Sequence, residues 1–182
     1  MQRDGDRWVF GYGSLMWRPG FAFEEKRIAT IHGYHRSLCV YSHVHRGTQD
    51  APGLVLGLDR GGSCQGVAFR VRAENWDEVI DYLREREQVT SIYLEILLKA
   101  KLAGGEDVIA VTYAADRKHH QYAGRLERDE LLRLVRQGKG MSGDNPAYVI
   151  NTYDHLRSIG VDDKTLKWLM ESLQKSAESV ER

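Results

Sequence analysis

The chain has 182 residues, a length typical of one domain with its own buried core. Its 26 Lys and Arg residues balance 26 Asp and Glu residues, so its charge argues against nucleic acid or an anionic membrane surface as a partner. No apolar run is long enough to span a bilayer, and the N-terminus lacks the apolar stretch of a signal peptide. We expect a cytoplasmic protein with a single domain over 1–182 and flexible ends at about 1–6 and 176–182.

The chain has two cysteines, Cys39 and Cys64, in strand-like apolar surroundings. They lack the C-x-x-C spacing of a redox or metal site. We therefore predict two buried thiols, as is usual in the reducing cytoplasm.

Strand-like composition dominates the first part of the chain. The stretch Arg7 to Tyr12 leads into a glycine-punctuated turn, and 26–42 is a long β-prone stretch that Gly33 could bend. After a polar loop over 43–52, two strand-like segments, 54–58 and 65–71, flank Gly61-Gly62. This pattern predicts an antiparallel hairpin.

The hydrophobic period changes at Glu74. Apolar side chains recur at helical spacing up to Arg86, and they predict a helix with one buried stripe, at Trp76, Val79, Ile80 and Leu83. Strand composition returns in 92–102 and 108–115 around Gly104-Gly105, which predicts a second hairpin.

The C-terminal third is helical in pattern. We predict helices over 127–137 and 146–158, with Asn145 as a cap, and a last helix that Asp162 or Asp163 caps and that runs through Leu173. Short, largely antiparallel strands, one inserted helix and this helical third predict an α+β fold. We expect a small, mostly antiparallel β-barrel with surrounding helices.

The sharpest local feature is the turn Gly11-Tyr12-Gly13-Ser14-Leu15. A dinucleotide fingerprint needs a third glycine where Met16 stands, no Gly-Lys-Ser/Thr triplet of a P-loop follows, and Ser14 lacks the flanking glycines of a nucleophile elbow. Two interpretations remain. The turn is purely structural, or its N–H groups form a nest for a carboxylate or an oxyanion.

Three carboxylates, Glu85, Glu87 and Glu95, form a second candidate cluster, and two of them fall at or just after the C-terminal end of the first predicted helix. Glu85 continues its polar face, whereas Glu87 lies where helix gives way to loop and can turn inward. The negative end of the helix dipole and any burial would both raise the pKa of Glu87 toward that of a general base. The alternative is a set of solvated surface glutamates.

The histidines give a weak signal for metal. His43 and His45 lie two residues apart, but no third ligand with zinc spacing accompanies them, and His119-His120 resembles an exposed loop. We predict no metal site and no cofactor.

Taken together, an ordered set of motifs resembles the ChaC-type γ-glutamylcyclotransferases, within the larger cyclotransferase-fold group. Val9 to Trp17 is similar to the family's V-F-G-Y-G-S-L-I-W signature, and the resemblance extends from about residue 7 to about residue 170. The other matching motifs are His45-Arg46-Gly47 before Pro52-Gly53, Gly66 to Arg70, Tyr82-Leu83, Arg86-Glu87, and Ser142 to Asn145 followed by Tyr148.

The resemblance implies a cofactor-independent enzyme that converts glutathione to 5-oxoproline and Cys-Gly. It implies Glu87 as the catalytic carboxylate, Tyr12, Gly13, Ser14 and Leu15 as the cradle of the γ-glutamyl group, and Tyr148 as a substrate neighbour. Arg46 is our candidate partner for the glycine carboxylate of glutathione. One departure is Gln88-Val89-Thr90, because relatives of the animal type have a residue and two glycines after Arg-Glu.

Other functions remain open from the sequence. The same loop and glutamate would serve other γ-glutamyl amino acids or γ-glutamylamines. A non-catalytic regulatory module is an alternative of another class, and a metal hydrolase built on His43 and His45 is a third. For the assembly, we expect a monomer or a weak dimer.

Overall fold

The structure is a computed structural model that describes residues 5–180, with side chains up to Lys175. The chain divides into two compact units. The first consists of the residues up to Ser37 together with Gly57–His119, and the second of Leu38–Leu56 together with the residues from His120 onward. The expected flexibility at 1–4 and 181–182 lies outside the described residues, and the single domain over 1–182 stays a prediction.

The sheet is a closed five-stranded barrel in the order β1-β3-β2-β4-β5. The pairs β1–β3, β2–β4 and β4–β5 are antiparallel, and the parallel pair β1–β5 closes the barrel. This arrangement confirms the predicted small, mostly antiparallel barrel. The strands are β1 Arg7–Gly11, β2 Glu25–Ser42, β3 Gly53–Val71, β4 Tyr93–Leu102 and β5 Asp107–Ala115.

Four α-helices follow the predicted pattern: α1 Trp76–Glu87, α2 Arg128–Gln137, α3 Asn145–Ser158 and α4 Lys164–Val180. Short 3-10 turns cover Ser14–Met16 and Ala73–Asn75, and a two-stranded ribbon pairs β6 Lys139–Gly140 with β7 Gly143–Asp144. The ribbon is too short to leave a hydrophobic period in the sequence, and it was not predicted. Among the described residues, no helix is long and apolar enough to cross a membrane.

In the first unit, α1 packs its apolar stripe on the barrel. The four predicted stripe residues are all buried, in one cluster with side chains of β1, β3 and β5 and with Leu15 from the turn after β1. Because Leu15 shares this cluster, the turn after β1 and the helix α1 are fixed to the same core. The cluster comprises Val9, Leu15, Val71, Trp76, Val79, Ile80, Leu83, Val111 and Tyr113.

The predicted hairpin around Gly61-Gly62 is wrong, because β3 is one continuous strand. Gly61 and Gly62 have positive φ angles of 102° and 70°, which bend the strand without reversing it. The second half of β3 pairs with β1, from Val67 opposite Gly11 to Val71 opposite Arg7. Because β1 provides the backbone hydrogen-bond partners of the second half of β3, the first half of β3 does not fold back to pair with it.

In the second unit, α3 contacts both α2 and α4. The capping prediction for Asn145 is wrong: the residue is the first of α3, and no side-chain hydrogen bond caps that end. Instead its amide accepts from the N–H of Leu54 and donates to the carbonyl of Leu54, both at 2.8 Å. The amide thus replaces a strand partner, which is why this polar side chain is fully buried.

The last helix, α4, begins as predicted, with the carboxylate of Asp163 accepting from the N–H of Leu166 at 3.0 Å. It continues beyond the predicted end at Leu173, as far as Val180. Cys39 and Cys64 are buried and outside any disulfide, which confirms their prediction as buried thiols.

Candidate active site

The turn after β1 is a single 3-10 turn that begins at Ser14. Tyr12 and Leu15 are buried, whereas Ser14 is exposed. The first hydrogen bond of the turn runs from the N–H of Met16 to the carbonyl of Gly13. The N–H groups of Gly13, Ser14 and Leu15 come before this first hydrogen bond, so they have no partner within the turn. Such N–H groups at the start of a helical turn can donate to a ligand.

Arg86 joins this turn to the C-terminal end of α1. Its Nη2 donates to the hydroxyl of Ser14 at 2.8 Å, and its Nη1 donates to the carbonyl of Arg18 at 2.6 Å and to the hydroxyl of Tyr82 at 3.0 Å. Because a guanidinium presents its donors in a rigid fork, these contacts fix the helix end relative to the turn.

Arg36 holds the other side of the same turn. Its Nε donates to the carbonyl of Tyr12, and its Nη2 donates to the carbonyl of Gln65, both at 2.6 Å. Arg36 was not predictable as a site residue, because the sequence carries no signal of which carbonyl groups a strand arginine will reach.

Glu87 is the last residue of α1, and its side chain is only 18% exposed. The one ion pair found for it among the described residues is with Arg86, whose Nε lies 3.5 Å from the Glu87 Oε1. Burial raises the pKa of the Glu87 carboxyl above its ordinary value, and the positive charge of Arg86 opposes part of that rise. A raised pKa suits a carboxylate that has to take up and return a proton near neutral pH.

Glu95 has the opposite environment. Arg84 donates to both of its carboxylate oxygens at 2.9 Å, and the hydroxyl of Tyr113 donates to Oε2 at 3.1 Å. The hydrogen bonds from Arg84 hold the pKa of Glu95 below its ordinary value. Glu95 is therefore a fixed anion, and Glu87 is the carboxylate suited to proton transfer.

Arg46 and Tyr148 lie together in the second unit. The guanidinium carbon of Arg46 is 5.3 Å from the centroid of the Tyr148 ring, and its Nη1 donates to the carbonyl of Asp144 at 3.3 Å. A side chain at Gly53 or Gly138 would collide with the carbonyl of Arg46, so glycine is required at both positions. The glycines thus allow the close backbone packing that positions Arg46.

The two neighbouring histidines have different surroundings. His45 Nδ1 lies 2.8 Å from the hydroxyl of Ser142, and the ring of His43 stacks on Tyr41. Among the side chains described, those of residues 5–175, no three His, Cys, Asp or Glu form a group that could hold a metal ion.

The comparisons with known proteins cover almost the whole chain. Residues 7–176 match the family model described as ChaC-like protein. The chain belongs to the ChaC-like family. Two curated relatives are 33% identical: the Escherichia coli K12 protein, over 94% of this chain and 74% of its own length, and the Mus musculus protein, over 86% and 74%. Their names are glutathione-specific gamma-glutamylcyclotransferase and glutathione-specific gamma-glutamylcyclotransferase 1.

The ChaC-like fold of the chain is also found in a solved structure. The crystal structure of a yeast γ-glutamylcyclotransferase specific to glutathione superposes with a TM-score of 0.82, at 23% identity, over 94% of this chain and 97% of that one. At this level of identity the likeness shows the fold alone, and it agrees with the α+β barrel described above.

Within this ChaC-like chain, the first unit brings Glu87 and the Tyr12–Leu15 turn together around Arg86, and the second unit brings Arg46 and Tyr148 together. The roles of Arg84 and Tyr113 around Glu95 were not predicted from the sequence. The pairing of Arg84 with Glu95 leaves no sequence signal, because it depends on how α1 packs beside β4.

Proposed function

We propose that the chain is a glutathione-specific γ-glutamylcyclotransferase, which converts glutathione to 5-oxoproline and Cys-Gly. The observation that carries this proposal is the Glu87 carboxylate, which is only 18% exposed and is held through Arg86 beside the Tyr12–Leu15 turn. The ChaC-like family and the names of its curated relatives support the substrate. Two buried thiols outside any disulfide are consistent with a cytoplasmic location.

The nucleophile in this reaction belongs to the substrate. The α-amine of the γ-glutamyl residue attacks its own γ-carbonyl, a C–N bond closes the five-membered lactam, and the amide C–N bond to cysteine breaks. No water enters and no oxidant is needed. The protein has to fold the substrate for attack, and such positioning contributes up to about 7 to 11 kcal/mol in ideal cases.

Glu87 is the proton shuttle of the proposed reaction. It accepts a proton from the α-ammonium, which exposes the attacking lone pair, and returns a proton to the departing nitrogen. The raised pKa of Glu87 brings it closer to that of the groups with which it exchanges protons.

The Tyr12–Leu15 turn is the proposed γ-glutamyl cradle. The N–H groups of Gly13, Ser14 and Leu15 precede the first hydrogen bond of the 3-10 turn, and they would hold the α-carboxylate or the developing oxyanion. Backbone donors suit this role because they need no reorganisation during the reaction.

The test is incubation with glutathione, γ-glutamyl-alanine and γ-glutamyl-lysine in separate reactions that contain a chelator, with 5-oxoproline measured by mass spectrometry. We expect release from glutathione alone. Faster release of 5-oxoproline from another substrate would contradict the proposed specificity for glutathione, and no release from any substrate would indicate a non-catalytic protein. Loss of activity with the chelator would contradict a metal-free reaction.

Two variants on α1 test the role of Glu87 in proton transfer. We expect Glu87→Gln to lower turnover by at least about 100-fold, the contribution of a lost acid–base group, with glutathione binding retained. Glu85→Gln, which removes a carboxylate two positions away, is the matched control and should retain full activity. A fully active Glu87→Gln protein would refute the assignment of Glu87.

A further inference from the structure

Arg84 and Glu87 lie three residues apart on α1. Residues at this spacing are neighbours on one face of a helix, and oppositely charged side chains there readily form an ion pair. In the structure this pair does not form. Arg84 instead directs its Nε to Glu95 Oε2 and its Nη2 to Glu95 Oε1, both at 2.9 Å.

The geometry of this contact is that of a strong pair. Two parallel N–H···O bonds occupy the fork of the Arg84 guanidinium, which makes the contact bidentate. The hydroxyl of the fully buried Tyr113 donates a third hydrogen bond to Glu95. Glu95 lies on β4 and Tyr113 on β5, so two strands of the barrel hold the carboxylate that receives Arg84.

We infer that Glu95 is a positioning residue for Glu87: it binds the guanidinium of Arg84 and keeps this cation from pairing with the carboxylate one helical turn away. The inference rests on the proposed function, in which Glu87 exchanges protons with the substrate. Glu95 acts through Arg84 and has no contact with the substrate in this role.

The ionisable groups of this network lie on three elements. α1 carries Arg84, Arg86 and Glu87, β4 carries Glu95, and β5 carries Tyr113. Burial, then Glu95, then the charge of Glu87 raise the pKa of Tyr113, which places this hydroxyl within electrostatic reach of both carboxylates. With Arg84 and Glu95 neutralising each other, Arg86 is the cation that opposes the effect of burial on Glu87.

The test begins with Glu95→Gln, which keeps an oxygen that can accept from Tyr113 but weakens the hold on Arg84. Arg84 is then expected to turn to Glu87 and lower the pKa of its carboxyl. The acid limb of the kcat/KM profile should move to lower pH. The plateau should fall about threefold, because a weaker base accepts the proton less readily.

The second variant separates this effect from a general loss of structure. In an Arg84→Gln background the released cation is absent, so adding Glu95→Gln should leave the acid limb and the plateau where the wild-type protein has them. If Glu95→Gln lowers the acid limb equally in both backgrounds, Glu95 acts by its own charge and the inference is overturned. An unchanged profile in the Glu95→Gln single variant overturns it as well.

A matched control exists on α2, where Arg133 and Glu130 form a bidentate pair with N···O distances of 2.7 and 2.6 Å. Glu130→Gln removes the same type of ion pair from the exposed face of α2 and should leave the pH profile unchanged.

A readout without substrate keeps this inference distinct from the proposed function. Carbon-13 NMR of the glutamate side chains follows the titration of Glu87, whose signal is assigned by its loss in Glu87→Gln. Glu95→Gln should lower the titration midpoint of Glu87. In the Arg84→Gln background, adding Glu95→Gln should no longer lower it. If the wild-type protein releases no 5-oxoproline, the proposed function fails. If the midpoint does not move, the positioning role fails.

Discussion

Glu87 and Glu95 illustrate how neighbours decide the chemistry of identical side chains. Both belong to the first unit: Glu87 is the last residue of α1, and Glu95 lies on β4, the strand that follows. Arg84 and Tyr113 hydrogen-bond Glu95 and stabilise its anion, whereas burial disfavours the anion of Glu87. Glu95 is therefore suited to a structural role, and Glu87 is suited to proton transfer.

At the residue scale, Arg46 remains our predicted partner for the glycine carboxylate of glutathione. Arg46→Ala should raise KM for glutathione by about tenfold, since a charge-assisted hydrogen bond contributes roughly 1.5 to 3 kcal/mol. KM for a γ-glutamyl amine without a second carboxylate should change little. Steady-state kinetics with both substrates measures the difference, and equal effects on the two would rule Arg46 out.

At the scale of elements, two side chains of α3 hydrogen-bond the backbone of β3. The hydroxyl of Tyr148 accepts from the N–H of Leu56 at 3.1 Å, and the amide of Asn145 binds Leu54. Asn145 is 0% exposed and satisfies both backbone groups of Leu54. Asn145→Ala would leave a buried N–H and a buried carbonyl without this partner, at a cost of about 1 to 3 kcal/mol each.

We therefore predict that Asn145→Ala lowers the free energy of unfolding by about 2 to 6 kcal/mol, measured by urea denaturation. Asn151→Ala is the matched control, because Asn151 lies on the same helix with its side chain exposed. It should change stability by less than about 0.5 kcal/mol. Equal stability of the two variants would show that the Asn145 contact contributes little.

The elements also show where hydrophobic patterns succeed. The stripe of α1 was predictable because every fourth or third residue must face the barrel, and Trp76, Val79, Ile80 and Leu83 are all buried. The β4–β5 hairpin was predictable for a similar reason, with a local glycine turn between two strands. β3 was not, since glycines such as Gly61 and Gly62 permit a bend as well as a reversal, and pairing with β1 decided between them.

At the scale of the whole molecule, the environment of Glu87 should reduce stability. Its pKa is higher in the folded than in the unfolded protein, so the folded state binds the proton more tightly. The contribution of this group to stability is therefore complete below the ordinary pKa of a glutamate, and it is lost as the pH rises through the folded-state pKa.

Glu87→Gln removes this titration and keeps the shape of the side chain. We expect the variant to unfold at a higher temperature than the wild-type protein at pH 8, with the difference shrinking toward pH 4. Thermal unfolding at both pH values measures the effect, with Glu85→Gln as the control. A variant that is less stable than the wild-type protein at pH 8 would contradict the desolvation of Glu87.

The sequence by itself determined the α+β class, the barrel strands apart from the continuity of β3, and the helical C-terminal third. It also determined the family, through motifs in a fixed order. These properties depend on local period and on residue identity, which the chain carries directly. Tertiary structure alone decided that Arg84 binds Glu95, that Arg86 and Arg36 hold the turn after β1, and that Asn145 pairs with Leu54. Each of these contacts joins residues from different elements, and their partners follow from how the strands and helices pack.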